Sequence, residues 1–360
     1  MNKNQPYYIR QSLSSYSAGA SQKRINTMIY YLFPRANIQI NQQLYCICIS
    51  NLIINNNYQI ISNSLYKYIE EIKDTIHNTP YWNAICKNPY LYINTISTIK
   101  HVSFIFYELI EIYHLMRLNW IKNSAINTIH FGKFANSTMK MCQYIRKNYQ
   151  TVDQYDCVYP PNYSIASLDY YYREKKNSID ILFCDASGDN EYQNAIELLK
   201  QLCIGFCAQK YKGMSIIKYG DSFSILSLDV ITFLSHFYDK TYFIKPSVCD
   251  LASSDKYIVC KCFMYNGLTD RMYQNIRALY LNITRNNLNM KVERIFNHTI
   301  PIYFSSRLEE INSIFGQSRL EYIQYFLTHI DKLNADQKTI ENNIKLCTEW
   351  CIKYNIPFLM

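Results

Sequence analysis

The sequence predicts an α/β fold: a mostly parallel sheet with helices on both faces, with an added N-terminal region and a C-terminal helical extension. Two observations predict it. Between residues 101 and 265, short β-branched or apolar runs alternate with longer segments whose apolar residues recur at helical spacing. That order builds a parallel sheet covered on both sides. Beyond about residue 266 the helical period persists alone. The 360 residues are 49% hydrophobic and 15% aromatic, ample for a buried core, which excludes wholesale disorder.

Val102–Leu118 has the apolar spacing of a helix, interrupted by Glu108, Glu111 and Arg117. Ala125–Phe131 is short and β-branched and reads as a strand. Asn136–Arg146 fits a helix, with Asn136 or Ser137 available as its N-cap. Ile179–Cys184 is a compact apolar strand that ends at Asp185. A long helix follows over Asn190–Gln209, with Ala195, Leu198, Leu199, Leu202 and Phe206 on its apolar face. Gly213–Tyr219 is the next strand and Leu226–Phe237 the next helix. Thr241–Lys245 and Lys256–Cys262 are two further strands, separated by a loop that Pro246 opens. With no helix between them, these two predict an antiparallel pair at one edge of the sheet. Arg307–His329 and Gln337–Tyr354 are amphipathic helices. Tyr45–Ile54 fits a strand or a buried helix, and pattern alone assigns the first 100 residues no function.

Composition excludes several classes. Eight Gly and nine Pro rule out collagen-like and linker-like chains. The 35 Tyr, with abundant Asn, Ile and Lys, read as the codon bias of an AT-rich genome, tyrosine serving partly as core filler. Thirteen Cys is an odd number, and none of their spacings has a histidine partner at zinc-finger distance. The opening Met1-Asn2-Lys3-Asn4 has no apolar signal core. Reduced, buried cysteines are therefore expected, with no disulfide framework and no metal. No apolar run approaches the ~20 residues of a membrane span. His101, His114, His130 and His236 share no common spacing and read as packed or solvated side chains. Lys+Arg is 37 against 28 Asp+Glu, a net +9, which permits a polyanionic partner without requiring one. Residues 1–100 carry nine of these cations and only three of the acids, so that region is the expected source of phosphate contacts.

A sheet of this kind places ligands at the carboxyl ends of its strands. Asp185 and Lys218 sit at two such ends, and read alone they fit a structural ion pair or a catalytic one. Gly132-Lys133 is not a phosphate loop, because Asn127 stands where G-x4-G-K needs its first glycine. Lys175-Lys176, after Arg173 and Tyr170–Tyr172, suits stacking on RNA bases or a solvated loop.

Three phrases in one block go further. Asp185-Ala186-Ser187-Gly188 closes a strand and precedes a long helix. Lys212-Gly213 leads to Lys218, and Lys245-Pro246 leads to Ser254-Asp255-Lys256-Tyr257. In order and spacing, Ile179–Phe263 resembles the second half of an FtsJ-type RNA 2′-O-methyltransferase domain. It is closest to the cap-ribose enzymes of eukaryotes and viruses, large cytoplasmic DNA viruses in particular. A weaker continuation covers residues 102–150, and Glu349-Trp350-Cys351 to Tyr354-Asn355-Ile356-Pro357 is similar to viral members.

The resemblance implies a Rossmann-like methyltransferase sheet at 101–265, between an N-terminal accessory region (1–100) and the C-terminal extension (266–360). It implies S-adenosylmethionine as cofactor and methyl transfer to a ribose 2′-hydroxyl by a Lys-Asp-Lys-Glu tetrad. A lysine of depressed pKa handles the hydroxyl proton there, since such a group acts near neutral pH only when its neighbours tune it. Carried over, the Asp is Asp185, the second Lys is Lys218 and the Glu position is Asp255. Gly132, Phe134, Asn136 and Asp185 would line the cofactor. Capped mRNA, viral transcription or capping proteins and the host cytoplasm or virion are the implied setting.

Besides Asp255 in place of Glu, the chain departs from the pattern at three places. Glu108 stands at the first lysine, in Tyr107-Glu108-Leu109-Ile110-Glu111-Ile112, where a carboxylate beside Asp185 would repel it and raise a pKa. Lys100, Lys122 and Lys133 are the candidate substitutes. In the cofactor turn Gly132–Thr138, Asn136 and Ser137 replace two glycines and Ala135 a proline, which predicts weak or absent cofactor binding. Cys249-Asp250 replaces a Ser-Arg pair. Two expectations stand: an RNA 2′-O-methyltransferase, or a catalytically silent relative kept as an RNA-binding or subunit-contact module.

Overall fold

The computed structural model describes residues 29–36, 47–50, 62–77, 89–100, 102–118, 124–284, 290–333 and 337–359. Much of the 1–100 region, where phosphate contacts are expected, lies outside that set, including most of residues 1–61, as do His101 and Lys122.

The main sheet has seven strands. β3 (Asn127–Phe131), β4 (Gln154–Val158), β5 (Ile179–Asp185) and β6 (Gln209–Tyr219) are parallel, in the spatial order β4-β3-β5-β6. β8 (Lys256–Phe263) pairs antiparallel with both β6 and β7 (Tyr238–Lys245) and lies between them. β7 therefore runs in the same direction as β6. This is a Rossmann-like α/β sheet, with one reversed strand inserted before the last parallel one. The β7–β8 pair is antiparallel as expected, but it does not form the edge. β1 (Ile29–Phe33) pairs antiparallel with β7 and occupies that position. Tyr31 and Phe33 alternate into the core while Leu32 faces outward, the period-2 pattern of a half-buried strand. A second, two-stranded sheet pairs β2 (Ile47–Ser50) with β9 (Met290–Arg294), so the Tyr45–Ile54 segment is a strand where it is described.

Strand alternation divides the core. From β5, Leu182 and Cys184 enter one hydrophobic cluster with α5 (Ile165–Glu174), α6 (Glu191–Ala208), α7 (Ile225–Phe237), α8 (Asp270–Thr284) and the start of α9 (Ile302–Leu333). Ile181 and Phe183 enter the other, with α2 (Ile93–Ile96), α3 (Phe104–Leu115), α4 (Ala135–Arg146) and α10 (Gln337–Lys353). α1 (Asn63–His77) packs on α9. The elements at both chain ends thus share the sheet's own layers.

One correction concerns a helix end. α4 begins at Ala135 rather than Asn136, and Phe134 is its N-cap, with no side-chain hydrogen bond. Asn136 and Ser137 are already helical. Lys175-Lys176, read as a stacking site for RNA bases or a solvated loop, lie in the turn after α5, and Arg173 lies in its last turn.

Of the ten cysteines with described side chains, all are free thiols and eight are buried. No described helix is long and apolar enough to cross a membrane. His130 is buried, stacked on Phe183 with ring centroids 4.8 Å apart. Arg146, at the end of α4, forms a buried fork on Asp153 at 2.5 and 2.9 Å and also donates to the Ser124 carbonyl and Thr151. Asp153 in turn accepts from Ile126 N–H. This node fixes α4 against the entries of β3 and β4.

Candidate functional site

The strand order reverses between β3 and β5. From that point the chain goes outward to β4 on one side and to β6 on the other, which leaves a crevice at the carboxyl ends of β3 and β5. Gly132 ends β3 there with φ +96°, a conformation glycine adopts without steric cost. A Cβ on Gly132 would lie 2.6 Å from the Asp185 Cβ, so glycine is required by contact as well. The turn folds onto the carboxylate. Phe134 N–H points at Asp185 Oδ2 at 3.4 Å, and the Ser187 hydroxyl donates to Oδ1. Behind the strand, Gln201 of α6 donates to the Asp185 carbonyl at 2.9 Å. Burial pushes the Asp185 carboxyl above the usual carboxylate range, opposed by the Ser187 hydrogen bond and the Lys218 and Lys133 charges.

Lys218 is in register with Asp185 on the neighbouring strand, but its ammonium is held elsewhere. Nζ lies 3.0 Å from Asp255 Oδ2 and 3.8 Å from Glu108 Oε2. Burial alone would lower its pKa. The Glu108 and Asp255 carboxylates outweigh burial and hold it above the ordinary lysine value. The face of the Phe134 ring lies 5.8 Å away, a further contact that favours the cation.

Glu108 comes from α3, whose residues 105–112 are all buried. A buried carboxylate persists only with partners, and Glu108 has two: it accepts from the Tyr257 hydroxyl and faces Lys218. The expectation that it would act on Asp185 is corrected. Its charge goes to Lys218, and Asp185 is raised chiefly by its own burial. Of the proposed substitute lysines, Lys100 donates to the Ser97 carbonyl at 3.2 Å, and Lys133 is exposed over the Phe134 ring at 5.1 Å.

The structure therefore brings Glu108, Lys218 and Asp255 together and holds Asp185 with Gly132 and Phe134, while Asn136 is exposed on the first turn of α4. Sequence reading gave no role to three residues. Tyr257, two positions from Asp255, shares its face by strand alternation. Glu111, one turn along from Glu108, accepts from Ser247 N–H at 3.0 Å, the Ser247 hydroxyl at 2.8 Å and Val248 N–H at 3.3 Å. Trp350 of α10 points its indole N–H at the same carboxylate from 3.5 Å. Glu111 thereby pins the loop that delivers Asp255 to both helices. Lys256 is buried, which lowers its pKa to about 8; burial also lowers Lys245 and Lys261. Lys256 faces the opposite side of the sheet from Lys218, donating to the Gly220 carbonyl near Asp221 and Glu191.

The arrangement makes a direct prediction. Glu108→Gln removes one of the two charges holding Lys218 up, so the Lys218 pKa should fall. Carbon-13 shifts of the lysine Cε signals against pH, assigned with Lys218→Ala, would show it. An unmoved Lys218 titration would mean that the Glu108 carboxylate does not control it.

Comparisons with protein-family models and with curated proteins found no match. Among solved structures, the chain is similar to Haemonchus contortus phosphoethanolamine N-methyltransferase 2, solved in complex with phosphomonomethylethanolamine and S-adenosylhomocysteine. The identity is 12% and the TM-score 0.28, over 46% of this chain and 39% of that one. The chain thus spans about two fifths of that protein's length.

Proposed function

We propose that this protein is a catalytically silent relative of the FtsJ-type RNA 2′-O-methyltransferases, of the viral cap-ribose branch, that binds capped RNA without methylating it. It would act in the host cytoplasm beside viral transcription or capping proteins. The observation that carries this reading is the position of Lys218 between Glu108 and Asp255. A ribose hydroxyl needs a proton acceptor, and an ammonium held protonated by two carboxylates has no lone pair to offer. Glu108, at the position of the missing lysine, is engaged by Tyr257 and Lys218.

The cofactor turn supports the same reading. Where a flexible glycine turn would approach S-adenosylmethionine, a single left-handed Gly132 is followed almost at once by helix, and the turn's backbone lies on Asp185. These residues fit the cofactor poorly.

Titration of the full chain with S-adenosylmethionine and its demethylated product should give a dissociation constant no tighter than about 100 μM, roughly −5 to −6 kcal/mol. Labelled methyl transfer to capped RNA should not exceed that of Lys218→Ala. Sub-micromolar cofactor binding, or 2′-O-methylation that Lys218→Ala abolishes, would establish the active-enzyme reading instead.

A further inference from the structure

At the end of the sheet remote from Asp185, β6 leaves its ladder with β5. Ile179 pairs with Gln209, but Ile181 pairs with Met214, so one β5 residue stands opposite four of β6. Lys210, Tyr211 and Lys212 project into solvent on this excursion, Tyr211 with 46% of its surface exposed. A bulge re-aims side chains, and this one is held by specific contacts. Lys212 has φ +63° and Asn177, opposite, φ +54°, both in the left-handed region that non-glycine residues seldom adopt. The Asn177 side chain accepts from Tyr211 N–H at 3.0 Å and donates to Asn266 at 2.9 Å. Gly213 has no room for a side chain, since a Cβ would lie 2.8 Å from the Lys210 carbonyl and 2.9 Å from that of Asp180.

The surroundings are cationic. Arg173, Lys175, Lys176, Lys210 and Lys212 stand against Glu174 and Asp180, and Asp180 is paired with Lys210 at 2.9 Å. Nearby Asp270 and Asp169 are taken up by Tyr172 and by Arg277. Lys212 lies 5.3 Å from the Tyr211 ring centre, and Lys176 lies 4.8 Å from that of Tyr172, its stem passing over Gly267.

We propose that this surface is a binding site for single-stranded nucleic acid, with Tyr211 as the platform for one unpaired base and Lys176 and Lys212 as phosphate contacts. A presented aromatic face flanked by cations suits a strand whose bases are free to stack. A duplex offers no free base face at one protruding ring, and an acidic peptide would gain nothing from the ring. The site lies a seven-residue strand, roughly 20 Å, from Asp185, so it stands apart from the reading of that end.

The test is binding of an uncapped, fluorescently labelled oligouridylate to the full chain, by anisotropy at several salt concentrations. Because it uses neither cap nor cofactor, its failure is separable from failure of the methyltransferase reading. Tyr211→Ala should weaken binding roughly tenfold and Tyr211→Phe should preserve it. The Lys176→Ala/Lys212→Ala double variant should flatten the slope of log K against log salt by about 1.4. Lys345→Ala, which removes one exposed charge from α10, should change neither quantity. Wild-type affinity in Tyr211→Ala, or an unchanged slope in the double variant, overturns the proposal. So does displacement of the oligonucleotide by polyglutamate as readily as by unlabelled strand, which would mark an acidic-protein surface.

Discussion

Arg146→Ala should cost about 3–5 kcal/mol of stability, the loss typical when one member of a buried ion pair is removed. The pair meets that condition, with side chains 1% and 7% exposed. Removing the guanidinium leaves Asp153 with the Ile126 N–H, the Thr151 hydroxyl and the Tyr155 hydroxyl as donors, too few to replace a fork at 2.5 and 2.9 Å. It also removes the Arg146 hydrogen bond to the Ser124 carbonyl. Burial would raise the Asp153 carboxyl, yet the Arg146 hydrogen bonds and charge hold it below the usual range. The unfolding midpoint in urea is the measurement. Arg146→Lys should recover only part of the loss, because an ammonium cannot form the fork. Arg146→Met/Asp153→Leu should cost less than Arg146→Ala, since both desolvated charges disappear together. A single alanine variant within about 1 kcal/mol of the parent would show that the node is not holding α4 to β3 and β4.

That node was poorly legible in the sequence, and the reason is physical. Asp153 lies in a polar stretch ahead of β4, an edge strand whose residues Gln154, Tyr155, Asp156 and Cys157 are exposed or half-buried. Its run lacks the apolar density of β5, which is covered on both faces. α5 was hidden similarly, because its buried side is carried by Leu168 and Tyr171 amid other tyrosines. By contrast, β5, β6 and β8 and the helices between them follow from apolar runs and helical period. The placing of Asp185 and Lys218 at strand ends follows from the same reading. The site was legible in part. Glu108 was visible as a departure, but its partner was not. Which carboxylate a lysine meets depends on how α3 rolls against the sheet, and Tyr257 and Lys218 decide that from far along the chain. Nor does pattern reveal that the residues after Phe134 are helical, since Ala135-Asn136-Ser137 fits a loop or a first turn equally well.

Acid should destabilise the fold through His130 from about pH 6.5 downward. Burial is the cause, holding the imidazole pKa down to about 3 against an ordinary 6.5. The neutral ring is fully satisfied. The Thr138 hydroxyl donates to the Ala135 carbonyl at 2.9 Å and so accepts from Nδ1–H at 2.7 Å, which leaves Nε2 to accept from Thr128 at 2.8 Å. The sign follows from proton uptake. Below pH 6.5 the unfolded chain binds a proton that the folded chain refuses, so stability present above that pH is lost as pH falls, until the folded ring protonates near 3. Each pH unit in that window removes about 1.4 kcal/mol, and the whole window about 5 kcal/mol. His236, also lowered by burial, to about 4, adds a parallel loss, so the total slope is not diagnostic. The difference between the parent and His130→Gln is, because His236 titrates in both. Unfolding free energies from urea curves between pH 6 and 4 should converge by about 1.4 kcal/mol per unit as the variant keeps what the parent loses. Parallel curves would mean that His130 is protonated in the folded protein, with a partner other than the two threonines. The ring sits on β3 two residues before Gly132, so its protonation would then act on the turn that holds Asp185.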